Sequence, residues 1–278
     1  MPSFEREYWQ ATVFFRHTRV EPADIAHILA RTATLLPEPA QWQMPALAGS
    51  DGFQLEVGRA GVRPVPQDIV TGTSPGGWLV QLSAQHLVVR HQQRVVGGRR
   101  SVARELFPTA DAFRDAVIAA CDALPETLLT SVWRTRLSAN YAMHCGDLYP
   151  ASVVGEIIGQ GVRSSFPPPD ARRFVQTHQE KEFETMAGRR HVWNDTVRTG
   201  NWFSPDGVLT TESAAVLTSE LQTATPEAAP GAPPPQLDEL PAVEPDALRA
   251  FFVSEDMGMQ RVTQRLRERL PEGIEFDE

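Results

Sequence analysis

Lysine and cysteine are the scarcest chemistries in this chain. Of 26 basic residues in 278, Lys181 alone is a lysine, and the cysteines number two, Cys121 and Cys145. Two cysteines build no disulfide framework, and neither has a second thiol close in sequence to form a zinc knuckle, so both are expected to be free thiols. No apolar run is long enough to cross a bilayer. Met1 to Tyr8 carries Glu5, Arg6 and Glu7 where a secretion signal would need an apolar core. The expectation is a cytoplasmic protein with no membrane partner. Missing as well are the P-loop, strand-linked GxGxxG, GxSxG, HExxH and CxxC patterns, which mark phosphate cradles, dinucleotide sites, nucleophile elbows and zinc sites. No cofactor and no metal ligand set is therefore expected, and an enzyme is less expected than a binding protein.

What the chain does have is charge in unequal places. Its formal net charge of −9 argues against a dedicated nucleic-acid binder, which would carry a basic domain. Residues 206–278 hold 15 acids and 5 arginines, a net of −10, while the rest of the chain is close to neutral. In contrast, Ile69 to Arg104 contains no acid and gathers Arg90, Arg94, Arg99, Arg100 and Arg104 with His86 and His91. A guanidinium is planar and offers paired donors, which suits phosphate and carboxylate partners better than a lysine run would. These five arginines are the candidate anion or nucleic-acid patch. A soluble hairpin edge accounts for the same residues without any ligand.

The pattern of apolar residues predicts an α+β fold, with antiparallel sheets and helices packed on one side, followed by a Pro-rich tether and a C-terminal helix. Glu7 to His17 alternates, with Trp9, Ala11, Val13 and Phe15 on one face, and reads as a half-buried strand. A helix follows Pro22 and ends at Pro37. The stretch to Pro75 reads as loop with one strand at Phe53 to Val57. Trp78 to Leu82 and His86 to Arg90 are strands. Thr109 is placed to cap a helix whose stripe is Phe113, Val117, Cys121 and Leu124. Leu128 to Ala142 returns to strand, and Ser152 to Ile158 suggests a short helix. Arg173 to Met186 and His191 to Phe203 form a long hairpin around Gly188, with His178 and His191 placed to face each other. Ser213 to Leu221 fits strand or helix equally.

Four segments follow from this reading: an α+β module over 1–165, a strand-rich module over 166–221, a Pro-rich acidic linker over 222–246 and an amphipathic helix over 247–278. The linker holds seven prolines between Pro226 and Pro245, which forbids a regular helix or a central strand. The last helix begins at Ser254 with Glu255 and Asp256 in its first turn, and shows Met259, Val262, Leu266 and Leu270 on one face. Such a stripe must be buried against the body, a second copy or another protein, so these four residues are the candidate partner-binding face.

Two candidate chemistries stand beside it. His144-Cys145 is a Cys-His pair, but neighbours in a strand point to opposite faces and cannot act together. Asp170, followed by Gln179-Glu180-Lys181, is similar in spacing to metal-dependent nucleases, in which two acids hold a divalent ion and a lysine orients the attacking water. Gln179 stands where an acid is needed, and a charged exposed strand with Glu180, Glu182 and Glu184 on one face explains the run equally well.

Gln81-Leu82, Phe107-Pro108 with Phe113, and Asn140-Tyr141 occur in the order found in a sporadically distributed family of uncharacterised bacterial proteins of similar length. The first half of the chain resembles that family at Phe4 to Phe15, Trp78 to Arg90 and Phe107 to Leu124, although no Arg-Tyr dipeptide precedes Asn140. The resemblance implies a bacterial cytoplasmic α+β protein and transfers no catalytic residue. The function expected from all of this is a non-catalytic interaction or regulatory protein, a subunit of a bacterial macromolecular assembly. It would bind a protein partner or a second copy through the C-terminal helix. A metal-dependent phosphodiesterase using Asp170 and Lys181 is one alternative, and a nucleic-acid-binding module through Arg90 to Arg104 is another.

Overall fold

The computed structural model describes residues 3–16, 41–43, 54–58, 61–65, 68–74, 76–83, 85–92, 95–96, 99–100, 107–144, 175–186, 189–203, 209–224, 240–253, 258–268 and 275–277. In chain order the strands are β1 (Ser3–Phe15), β2 (Gln41–Gln43), β3 (Gln54–Gly58), β4 (Gly61–Val65), β5 (Asp68–Thr73), β6 (Trp78–Ser83), β7 (His86–Gln92), β8 (Val95–Val96) and β9 (Arg99–Arg100). Helices α1 (Ala110–Asp122) and α2 (Glu126–Leu129) precede β10 (Val132–His144), β11 (Val175–Met186), β12 (Arg189–Phe203) and β13 (Leu209–Thr223). The chain ends with α3 (Pro245–Val253), α4 (Met259–Glu268) and β14 (Glu275–Asp277). The fold is α+β and mostly antiparallel sheet, with strand order β11-β12-β13-β10-β1-β7-β6-β5-β2; β14 joins β1, and β3-β4 and β8-β9 form separate pairs. Two compact units divide the chain. One takes Met1–Trp9, Leu137–Gln222 and Glu255–Glu278, the other Gln10–Arg136 and Thr223–Ser254.

In the second unit β1 is buried on both faces, whereas the alternation of its sequence predicts one. Ala11, Val13 and Phe15 are inaccessible, but so are Gln10 and Thr12. The polar pair escapes an apolar-polar reading because its groups are satisfied inside: Gln10 donates to the Thr12 hydroxyl at 2.9 Å and accepts from Arg90 Nε at 2.7 Å. Helix α1 forms as expected. Thr109 accepts from the Ala112 N–H, and Phe113, Val117, Ala120 and Cys121 are buried. Trp78 stacks on Phe113 with centroids 5.9 Å apart and meets the His91 edge at 5.2 Å. His91 Nε2 donates to the Gly76 carbonyl at 2.8 Å, a contact made possible by a turn in which Gly77 adopts φ 90°. Burial, with the Asp122 charge adding, pushes the Cys121 thiol up to about 12, so this cysteine is inert core.

The stretch expected to be loop with one strand holds four. Besides β3, it contains β2, β4 and β5, and β5 pairs antiparallel with β6. Pro64 and the glycines at 58, 61 and 72 hide these strands from a pattern reading, since proline is admitted in two-stranded edges and glycine carries no side chain to show a period. The helix expected after Pro22 and the one over 152–158 lie outside the described residues. Where Ser213 to Leu221 fits two patterns, the chain takes strand β13.

The long hairpin forms, with Met186 opposite Arg189 and Val175 opposite Gly200. In the C-terminal segment one expected helix is two. Pro245, assigned to the linker, occupies the first turn of α3, where proline is well suited. The linker's last residues are held as well: the Val243 N–H donates to the Val132 carbonyl at 2.7 Å, and Leu240 and Val243 are buried. Within the first unit β14 pairs in parallel with Ser3, Phe4 and Glu5.

Trp9 and Tyr141 tie the first unit's core. The Trp9 indole donates to the Tyr141 hydroxyl at 3.0 Å, with both rings buried. Tyr141→Phe strands that donor and is expected to lower unfolding stability by about 1–3 kcal/mol in a urea titration, with an unchanged urea slope.

Candidate functional site

The site is set by strand register in the first unit. In an antiparallel ladder directly opposed residues share a face. Glu182 lies opposite Trp193 and Glu184 opposite His191, while Asp195 is two residues along the same strand from Trp193. One side of β11 and β12 therefore carries Glu182, Glu184, His191, Trp193 and Asp195. Neighbours fix these groups: the Trp193 indole donates to Glu184 at 2.6 Å, and the Ser219 hydroxyl of β13 donates to Asp195 Oδ1 at 2.5 Å.

Onto this face comes one side chain of α4. Met259, Val262, Thr263 and Leu266 repeat at helical spacing and are buried, while Gln260, Gln264 and Glu268 are exposed. Arg265, flanking that stripe, is 9% exposed. Its Nε donates to Asp195 Oδ2 at 2.8 Å and its Nη2 to Glu182 at 2.6 Å, and its guanidinium carbon is 4.7 Å from the Trp193 ring centroid. Burial by itself would depress the Arg265 guanidinium; the Glu182 hydrogen bond and the Asp195 charge outweigh it and hold the group above its ordinary value. The two pairs differ in wetness. Asp195 is 6% exposed at its side chain and Glu182 56%.

The opposite side of the same strands is a polar row. Gln179 donates to Asn194, Asn194 donates to Glu220 at 3.1 Å, and Glu220 also accepts from Ser138 at 3.3 Å. Beside them Asn140 donates to Thr218 at 2.7 Å. Phe183 is exposed on this side, with the Arg190 guanidinium 4.0 Å from its ring centroid.

The predicted residues fall as follows. Met259, Val262 and Leu266 are buried within the chain's own fold, so the stripe offered to a partner is covered in cis; Leu270 lies outside the described residues. Lys181 is exposed on β11 and shares its face with Gln179, whereas alternation sends position 180 to the other side. Asp170, Cys145 and the side chain of His144 lie outside the described residues. His178 and His191 do not face each other, because the register sets His178 against Val197 and His191 against Glu184. Of the arginine patch, Arg90 is half-buried and bound to Gln10, while Arg99 and Arg100 form β9. The side chains of Arg94, Arg99, Arg100 and Arg104 are outside the described residues. Among the described residues no group of three or more His, Cys, Asp or Glu is arranged to hold a metal ion. Nor is any helix there long and apolar enough to cross a membrane.

Asp195, Trp193, Ser219 and Arg265 were not singled out by the sequence. In the sequence Arg265 is only one of the five arginines within residues 206–278. The one available signal is an arginine immediately before an apolar anchor, Leu266. Comparison with protein families, curated proteins and solved structures finds no match for this chain.

Two measurements probe the site. Asp195→Asn removes the drier partner of Arg265 and is expected to destabilise by about 3 kcal/mol, whereas Glu182→Gln, at the wet pair, loses under about 1 kcal/mol; chemical denaturation separates them. His191 is buried, with Nδ1 donating to the Arg189 carbonyl at 3.0 Å, and burial lowers its pKa below 6.5. The unfolded chain therefore binds a proton that the folded chain refuses. This contribution to stability is whole above the ordinary histidine value and is lost as pH falls from there to the lowered one. His191→Gln is expected to flatten the stability profile over that interval.

Proposed function

We propose that this chain is a non-catalytic interaction or regulatory protein, a subunit of a larger assembly, whose C-terminal arm docks on its own first unit and controls access to it. The observation carrying this reading is Arg265, a charged side chain of the arm buried against Asp195, Glu182 and Trp193. Burying an ion pair contributes little net stability compared with an apolar contact of the same volume. The role proposed for it here is to choose one geometry over others, as in some buried polar and ionic contacts, which is what a regulated contact between two segments requires. The rest of the α4 stripe supplies ordinary apolar burial, so the arm has both an adhesive surface and a selective pin.

The hydrolytic alternative lacks comparable support. A catalytic lysine should share its strand face with a metal-binding acid, and the residue sharing the face of Lys181 two positions away is Gln179, which donates to Asn194.

The test uses the full-length tagged chain recovered from its native cells, as wild type and as Arg265→Glu. A stoichiometric co-purifying protein whose recovery rises in the variant is the expected outcome. Recovery of the chain alone in both forms overturns the reading. So does divalent-metal-dependent nucleic-acid cleavage that Lys181→Ala abolishes.

A further inference from the structure

Independently of how the C-terminal arm is used, we propose that the second unit holds a binding site for single-stranded nucleic acid. It lies on the sheet face turned away from helix α1 and is centred on Phe14, Arg134 and Arg136.

Pairing and alternation define that face. Phe113 of α1 stacks on Trp78, and Trp78 lies opposite His91 in the β6–β7 ladder, so the helix covers the His91 side of β7. His86 and Arg90 fall on the other side. The hydrogen bond from Arg90 to Gln10 and the ring contact of Phe14 with His86, centroids 6.4 Å apart, bring Gln10 and Phe14 of β1 to that same side. From β10 the Arg134 and Arg136 guanidinium carbons come within 5.1 and 5.2 Å of the Phe14 ring centroid, and that of Arg134 is also 5.0 Å from the Trp133 ring. Gln10 and Thr12 are buried, whereas Phe14, His86, Trp133, Arg134 and Arg136 are each half-buried. The accessible part of the face is therefore the part around Phe14.

Charge and ring chemistry together select the ligand. Residues 10–16, 78–83, 86–92 and 132–136 contain four arginines, at 16, 90, 134 and 136, and no acid, so these strands bring no carboxylate of their own to repel a polyanion. Asp111, Asp115 and Asp122 belong to α1, across the sheet. This local balance, and not the net charge of the whole chain, governs a ligand at contact. Guanidinium groups suit phosphate, and an unpaired base stacks on an aromatic ring or on a guanidinium plane. A duplex hides its base faces, so the fit is to a single strand. The aromatic part is positioned in advance: the Trp133 indole donates to the Phe15 carbonyl at 3.1 Å, and its ring lies 6.1 Å from that of Phe14.

Fluorescence anisotropy on the full chain tests the proposal, with labelled oligothymidine and oligouridine as probes. Saturable binding of either is expected, with a log–log salt slope of about −2 to −3, as three or four neutralised phosphates give in about that range. Arg134→Gln with Arg136→Gln is expected to lower affinity at least about tenfold and to bring the slope about 1.4 closer to zero. Phe14→Leu is expected to cost at least about fivefold with the slope unchanged. Should the glutamine pair fail to fold, Arg134→Lys with Arg136→Lys decides: the slope is kept and affinity falls, because an ammonium has no plane for a base, and unchanged affinity overturns the proposal. Arg99→Gln with Arg100→Gln, outside the site, is expected to change nothing. No saturable binding of either probe overturns the proposal, as does a salt slope near zero. So does competition by duplex DNA or polyglutamate as effective as that of unlabelled oligothymidine, or binding that depends on Arg99 and Arg100 and not on Arg134 and Arg136.

Discussion

The first unit depends on a desolvated charge. Arg265 cannot lose its proton at any physiological pH, so its burial depends on the dry pair with Asp195, which the Trp193 ring and the wetter Glu182 carboxylate supplement. Shifting α4 by one turn would separate Arg265 from Asp195 and break their dry ion pair, a penalty of several kcal/mol. Apolar contacts such as Met259, Val262 and Leu266 do not enforce that choice, because one leucine-sized anchor fits another's place at modest loss. The ion pair therefore fixes the register of α4 on β12, while the stripe provides the adhesion. Parallel pairing of β14 with Ser3, Phe4 and Glu5 then holds the two ends of the chain in the same unit.

How much of this the sequence exposes depends on whether a residue's period reports its surroundings. In β6, β7 and the β11–β12 hairpin, runs of strand-forming residues bounded by turns identify the elements, and Thr109 with Phe113, Val117 and Cys121 identifies α1. The pattern fails where buried polar residues stand in for apolar ones, as Gln10 and Thr12 do in β1. It fails again where Pro64 and several glycines erase the period between residues 36 and 75. At the C-terminus, Ser254-Glu255-Asp256 has the chemistry of a helix start but lies outside the described residues, and the helices described are α3 and α4. The earlier helix begins at Pro245, a residue that counts as a linker proline until its place at a helix start is seen. A three-residue strand such as β14 is too short to show any alternation.

The candidate site was less legible than the fold because its parts are remote in sequence. Arg265 meets Asp195 across 70 positions and Glu182 across 83. Only strand register brings Glu182, Trp193 and Asp195 to one face. The sequence does place Glu182 and Glu184 together on one side of a strand and Met259, Val262 and Leu266 together on one side of a helix. It has no means of saying that these two surfaces meet. Of the arginine patch and the histidines beside it, the described side chains show Arg90 bound to the buried Gln10 and His91 as a core residue bonded to a backbone carbonyl; the side chains of Arg94, Arg99, Arg100 and Arg104 lie outside the described residues.

Net charge is a poor guide to how the arm is held. Residues 206–278 are strongly acidic, and long-range electrostatics alone would send the arm toward a basic surface. Both arm helices instead attach by arginine to acid: Arg265 to Asp195 and Glu182 in the first unit, Arg249 to Asp122 in the second. An acidic segment that approaches carboxylates through its few cations is repelled at a distance and attracted only at contact. Such docking is set by short-range geometry and desolvation. Salt acts on it in two opposing ways, screening the overall repulsion while weakening the wet Glu182 pair. The drier Asp195 pair responds least to either effect, and it is the contact on which the position of α4 rests.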